Sequence, residues 1–309
     1  MQTPNSTLSS PLTPSSSSKP ENPNSNNTTP SSSSTLSRLW RPAAQRNLRN
    51  QWMKLVSHKQ KWISASSAAR SHATSLVNAY LSQRYLPSMD LGALKDMPSI
   101  REKSCQKLSS QQELCKKNLL SSYKDMVGVV SLMINDSRSM RCFTKRSGAS
   151  PLLQYSSHSE DNNNDLGDGG GIPVFTFLSI PYHEKLGQEL VQMFASELLL
   201  KRLIVVELLS LSCKEEQNDK LSWSNELYPG EFEDLRSSVL FCEDTHQPIS
   251  PRINGGGFEF LAPSESNIRA DREVLHVYLT TWLVEVNIDT QRIEDIFIII
   301  GEEMHRSLS

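Results

Sequence analysis

The feature that most restricts the fold is an unbroken run from Ala43 to Leu86 that contains neither proline nor glycine. Pro42 precedes this run and Pro87 follows it, as helix start and stop signals do. Apolar and aromatic residues recur within it at alternating steps of four and three, the spacing of a helix with one buried face. They are Leu48, Trp52, Leu55, Trp62, Ala69, Ala73, Leu76 and Tyr80. A Ser- and Ala-rich stretch at 64–75 weakens the stripe, so the pattern predicts one long helix or two shorter ones.

A second helical segment with the same spacing follows Pro98. Its stripe consists of Leu108, Cys115, Leu119, Ser122, Met126, Val129 and Met133. Because the connection between the two segments is short, the pattern predicts an antiparallel helical hairpin over residues 38–146. Trp52 and Trp62 lie on the first stripe, which favours packing in a core over stacking on nucleic-acid bases.

The charge of the chain is divided between two opposite parts. The 309 residues have a formal net charge of −2, yet residues 38–146 carry 20 Lys and Arg against 6 Asp and Glu. Residues 147–309 carry 11 Lys and Arg against 27 Asp and Glu. Such asymmetry gives information about partners. The basic part is suited to nucleic acid, to an acidic protein or to the acidic part of the same chain, and all three stay open.

The cationic face of the first predicted helix is the candidate binding surface. Its residues are Arg38, Arg41, Arg46, Arg49, Lys54 and Lys61. A helix with such a face is suited to contacts with phosphate backbones. The sequence has no helix-turn-helix, zinc-finger spacing or leucine zipper, so any DNA binding is expected to be non-specific and strongly salt-dependent.

No motif points to catalysis, a metal or a cofactor. The cysteines stand at Cys105, Cys115, Cys142, Cys213 and Cys242, without zinc-binding spacing. Asp161, Asn163 and Asp165 resemble the start of a calcium loop, but Leu166 and Ile172 occupy positions that require Gly and Glu. We therefore expect a protein that is not an enzyme and needs no cofactor.

The remaining segments predict a mainly α-helical protein with disordered connections. Residues 1–37 are rich in Ser, Pro, Thr and Asn, which predicts a disordered tail, with an organelle transit peptide as the alternative. Residues 147–172 predict a flexible linker. Residues 173–309 predict an acidic helical domain, an irregular bundle or α-solenoid-like, that folds independently.

Within the acidic part, Pro173–Pro181 predicts an extended strap across helices, and Tyr182–Cys213 predicts the central helix of the core. Lys201 and Arg202 interrupt its apolar run, so they need either acidic partners or a path along which their charged ends reach water. The run is too short for a membrane span. One short helix is predicted at Glu231–Cys242. Two helices are predicted to end the chain, the first from Ile268 to Val286 and the second after Asp289 as N-cap.

Four strings resemble the plant multipolar spindle family, also described as recombination initiation defect proteins. They are LWRPAAQRNLRNQW (Leu39–Trp52), RSHATSLVNAYLSQRYLPSMDLG (Arg70–Gly92), GGIPVFTF (Gly170–Phe177) and ELLLKRLIVVELLSLS (Glu197–Ser212). The resemblance implies a non-enzymatic nuclear protein of meiosis, required for programmed DNA double-strand breaks and connected with a bipolar spindle. It implies a helical scaffold whose partners belong to the break machinery. It supplies no residues of a defined binding site.

Two other partner classes stay open beside the break machinery. Non-specific DNA is one. Spindle components are the other, because tubulin surfaces are acidic and would attract the basic part. The alternative function is therefore a spindle or microtubule-associated adaptor that controls spindle bipolarity.

Overall fold

The computed structural model describes residues 33–141, 171–213, 221–253 and 271–308, with side chains from residue 41 onward. The side chain of Arg38, the predicted tail up to residue 32 and the calcium-like residues lie outside this part. So does the predicted linker up to residue 170. The described part contains six α-helices and one short antiparallel pair of strands, which confirms the mainly α fold.

Two long helices form the hairpin. Helix α1 spans Ser33–Tyr85 and helix α2 spans Ile100–Arg138, with two 3₁₀ turns at Leu86–Ser88 and Gly92–Leu94 between them. The side chain of Gln112, early in α2, donates to Gln83, late in α1. Lys54, in the first half of α1, pairs with Asp136 near the end of α2. The helices are therefore antiparallel, as the short connection predicts.

Helix α1 is one continuous helix, so the alternative of two shorter ones is wrong. The Ser- and Ala-rich stretch packs against the C-terminal helices: Ser66, Ala69 and Ala73 are buried, and the carbonyl of Ser66 accepts a hydrogen bond from Trp282 Nε1 at 3.1 Å. Small side chains allow this close approach without a break in the helix. The helix also begins before Pro42, which lies inside it, so the predicted start after Pro42 is wrong.

The C-terminal part surrounds one buried helix. Helix α3 spans Ile180–Leu209 and contacts α1, α2 and the last two helices. The other elements are α4 (Glu231–Ser237), β1 (Phe241–Cys242), β2 (Gln247–Pro248), α5 (Arg272–Val284) and α6 (Thr290–Met304). The Asp289 side chain accepts a hydrogen bond from the N–H of Arg292 at 2.9 Å, which confirms the predicted N-cap of α6.

The prediction of a single helix at Glu231–Cys242 is wrong in its second half. Val239 has a positive φ of 57°, a left-handed conformation that a right-handed helix does not contain. The chain then turns into β1, where Phe241 pairs with Pro248 of β2. The α-helix therefore ends at Ser237.

The hairpin and the acidic part share one hydrophobic core. Trp62 of α1 packs edge-on against Phe194 of α3, with ring centroids 5.4 Å apart. Trp52 packs edge-on against Phe297 of α6 at 6.3 Å. Both tryptophans are at most 1% exposed, as the stripe predicts. Buried residues on both sides of position 147 belong to this core, so the boundary there separates opposite charges and does not separate two cores. The shared core therefore argues against independent folding of residues 173–309.

Candidate functional site

An extended segment, residues 171–179, crosses the N-terminal part of α1 and is called the strap below. Arg41 Nε donates to the carbonyl of Pro173 at 2.9 Å, and Gln45 Nε2 donates to the carbonyl of Val174 at 2.7 Å. Val174 is fully buried. A non-helical segment must pair its backbone polar groups with other partners, and α1 supplies side-chain donors for two of them. The strap predicted at Pro173–Pro181 is therefore present, although α3 already begins at Ile180.

The other side of the strap is held by Glu303 of α6. One oxygen of this carboxylate, Oε1, accepts hydrogen bonds from the backbone N–H groups of Thr176, Phe177 and Leu178, each at 2.8 Å. Hydrogen bonds to a charged acceptor are stronger than those between neutral groups. The strap therefore joins the C-terminal end of α6 to the N-terminal part of α1.

Three of the six predicted binding residues are used within the chain itself. Arg41 is bound to the strap. The guanidinium of Arg49 lies 5.0 Å from the ring centroid of Phe175, also in the strap. Lys54 Nζ lies 3.0 Å from Asp136 Oδ1. The strap and α2 therefore occupy part of the predicted cationic face, and binding of DNA or a partner by this face stays a prediction.

Some cations of the basic part contact the acidic part directly. Lys59 Nζ lies 5.5 Å from the ring centroid of Phe297, and Arg141 pairs with Glu184 of α3. Arg46 and Lys61 are exposed, and no carboxylate of the described residues pairs with either of them. Docking of the basic part on its own acidic part thus accounts for some of its cations and leaves others open to a partner.

An arginine-lined cavity lies between α1 and the end of α6. It has a volume of about 420 Å³. The lining residues are Pro42, Gln45, Arg46, Arg49, Asn50, Met53 and Arg306. None of them carries a carboxylate, and Arg49 Nε is buried without a hydrogen-bond partner among the described residues. The arrangement is suited to an anion with several acceptor oxygens.

Arg306, which no sequence pattern marked as a site residue, reaches this cavity through the end of α6. His305 has a positive φ of 52°, and the N–H of Arg306 returns to the carbonyl of Gly301 at 2.9 Å. A Cβ on residue 301 would lie 2.6 Å from the carbonyl oxygen of Arg306, so only glycine permits this turn. The glycine late in the predicted helix was the one sequence signal of the turn.

The predicted need of Arg202 for an acidic partner is confirmed. Arg202 donates through Nε to Glu231 Oε1 at 2.8 Å and through Nη2 to Oε2 at 3.1 Å. The hydroxyl of Tyr123 also donates to Oε1 at 2.7 Å, and the N–H of Leu227 donates to Oε2 at 2.7 Å. Burial, followed by the charge of Glu231, raises the pKa of Tyr123 well above its ordinary value, so this phenol stays a donor.

Lys201 has its own acidic partners. Its Nζ lies 3.2 Å from Glu197 and 3.3 Å from Glu285, and it donates to the carbonyl of Trp282 at 3.0 Å. Burial raises the pKa of Glu197, while Lys201 beside it acts in the opposite direction. Each buried cation of α3 thus pairs with a carboxylate of another segment. Glu231 ties α3 to α4, and Glu285 ties it to the end of α5.

His183 is a buried histidine between the strap and α1. It is fully buried, and Trp52 Nε1 donates to its Nδ1 at 3.1 Å, which places the imidazole proton on Nε2. Burial lowers the pKa of His183 to about 4, and the charge of Glu303 opposes this shift in part. The folded protein therefore holds this imidazole neutral.

Acidification is expected to destabilise the protein through His183. Because its pKa is 6.5 ordinarily and about 4 in the folded chain, the unfolded chain binds a proton that the folded chain does not. The stabilisation of the folded chain by neutral, buried His183 is fully present above pH 6.5. It is lost as the pH falls toward 4, by up to about 1.4 kcal/mol per pH unit. His183→Asn is expected to flatten the slope of unfolding free energy against pH, measured by urea unfolding across that window. The exposed His276→Asn is the control, and an unchanged slope in His183→Asn contradicts the assignment.

Comparison with known proteins adds no family assignment. No protein-family model matches the chain. No curated protein matches it significantly either. The described helices include none with the length and apolar character needed to cross a membrane. The described residues also contain no group of three or more His, Cys, Asp or Glu side chains placed to hold a metal ion.

Proposed function

We propose that this chain is a non-enzymatic nuclear scaffold of meiosis that takes part in programmed DNA double-strand break formation and chromosome segregation. The proposal starts from the resemblance of four strings to the multipolar spindle family. In the structure, two of these strings, Leu39–Trp52 and Gly170–Phe177, meet through the hydrogen bonds of Arg41 and Gln45 to the strap. The strings that carry the resemblance therefore form contacts that shape the surface near the cavity.

The shape of the hairpin also supports a scaffold. Helix α1 has 53 residues, which corresponds to a length of roughly 80 Å at about 1.5 Å per residue. Exposed cations occur along both helices of the hairpin. They include Arg46 and Lys61 on α1 and Lys103, Lys107 and Lys117 on α2. A long helical surface with spaced cations is suited to binding acidic partners at more than one point.

Co-purification of the tagged full chain from cells entering meiosis, read by mass spectrometry, tests this function. We expect break-machinery and chromosome-axis proteins, enriched over a parallel purification from non-dividing tissue. Recovery of tubulin and spindle proteins in their place would contradict the break-machinery role and favour the spindle adaptor. Recovery of neither class would contradict both.

A further inference from the structure

Three arginines from two distant parts of the sequence line the cavity. Arg46 and Arg49 are one turn apart on α1, and Arg306 follows the end of α6. Like charges repel, so the placement of three arginines without a carboxylate among the described lining residues favours a bound anion.

We propose that Arg46, Arg49 and Arg306 bind the phosphate group of a phosphorylated serine or threonine on a partner protein. The inference rests on the proposed scaffold function, because it names the chemistry of a partner. A phosphorylated side chain carries about −1.5 to −2 charges and three acceptor oxygens, which can be shared among several guanidinium groups. A carboxylate offers less charge and fewer acceptors.

The surroundings of the cavity favour a phosphorylated peptide over duplex DNA. Duplex DNA presents a line of phosphates and is bound by a line of cations. On α1 that line is interrupted on both sides of the cavity, because Arg41 is bound to the strap and Lys54 is paired with Asp136. Met53, which is 48% exposed, supplies an apolar contact beside the arginines. One concentrated cationic site with an apolar neighbour matches a single phosphate on a side chain.

Fluorescence anisotropy on the full chain tests the proposal. The probes are fluorescein-labelled peptide pools with a fixed central phosphoserine or phosphothreonine and degenerate flanking residues, the same pools without phosphate, and a 20-base-pair DNA duplex. We expect the phosphorylated pools to bind roughly tenfold more tightly or better than the unphosphorylated ones. We expect the double variant Arg46→Ala/Arg306→Ala to lose that preference.

The variants are chosen so that the fold is preserved. Arg46 and Arg306 are exposed, so their truncation removes charge from the cavity without opening the core. Arg138→Ala is the matched control, because it removes one exposed arginine near the end of α2, outside the lining of the cavity. Arg49→Lys keeps the charge but removes the planar guanidinium, which can donate to two phosphate oxygens at once. It is therefore expected to weaken binding of the phosphorylated pools more than Arg138→Ala does.

Three results would overturn the site. The first is equal binding of phosphorylated and unphosphorylated pools by the unmodified chain. The second is unchanged binding of the phosphorylated pools by the double variant. The third is loss of DNA binding in the double variant when the unmodified chain shows no preference for phosphorylated peptides. The last result would assign the cavity to DNA backbone phosphates. The co-purification experiment is independent of these outcomes. It therefore distinguishes a meiotic scaffold that lacks this phosphate site from a protein that has the site but is not a meiotic scaffold.

Discussion

Replacing Glu231 by Gln is expected to lower the free energy of unfolding by about 3–5 kcal/mol. Glu231 and Arg202 are both fully buried, and the pair is joined by two hydrogen bonds. A neutral amide would leave the guanidinium without a counter-charge in an apolar core, where water cannot replace it. The amide would also give up one of the oxygens that accept from Tyr123 and Leu227. Urea unfolding followed by circular dichroism measures the change.

A matched control for this substitution lies two residues further along α4. Glu233 pairs with Arg236, but 82% of its side chain is exposed. Surface pairs contribute about 0–1 kcal/mol, so Glu233→Gln is expected to change stability by no more than that. Equal effects of the two substitutions would contradict the role of Glu231 as the central acceptor of the buried network.

Replacing Trp282 by Ala is expected to cost about 3–5 kcal/mol. Trp282 is 1% exposed, and its Nε1 donates to the carbonyl of Ser66 in α1. Its ring also lies 4.6 Å from Lys201 Nζ, where it supports the buried cation. Truncation would leave a cavity at the contact of α5 with α1 and α3, remove the hydrogen-bond donor and weaken the site of Lys201. Urea unfolding again measures the change.

The neighbouring residue gives the control for Trp282. Leu283 is 58% exposed, so Leu283→Ala is expected to change stability by less than about 1 kcal/mol. The same experiment tests the shared core. If α1 and α5 unfold as one unit, Trp282→Ala shifts a single transition that includes the hairpin. Two transitions, with the hairpin unaffected by the substitution, would contradict a shared core.

The local elements of this protein were predictable because their signals are short-range. The step of three and four residues predicts which side of α1 and α2 is buried, and Leu48, Leu119 and Met126 are indeed fully buried. Asp289 marks the start of α6 because an N-cap acts on a backbone N–H only a few residues away. The single helix predicted at Glu231–Cys242 failed at Val239, where a left-handed backbone returns the N–H of Leu240 to the carbonyl of Leu235 and ends the helix. No glycine marks this position in the sequence.

The candidate site was predicted only in part. Six cations on α1 indicated where the candidate binding surface lies. The sequence pattern did not show that Arg41 would bind the strap or that Lys54 would pair with Asp136. Arg306 was missed, because 257 positions separate it from Arg49 and no periodicity links them. The pairing of such residues depends on how the helices pack, and helix packing is not encoded in local spacing.

The sequence by itself determined that this chain is mainly helical, where the faces of its long helices lie, and that its charge is divided between two parts. It also showed that Lys201 and Arg202 require either acidic partners or a path to water. Only the tertiary structure decided which carboxylates these are, which cations stay exposed, and that three arginines meet in one cavity. The reason is physical: helix formation and burial patterns follow from neighbours along the chain, whereas charge pairing follows from distances that exist only after the helices have packed.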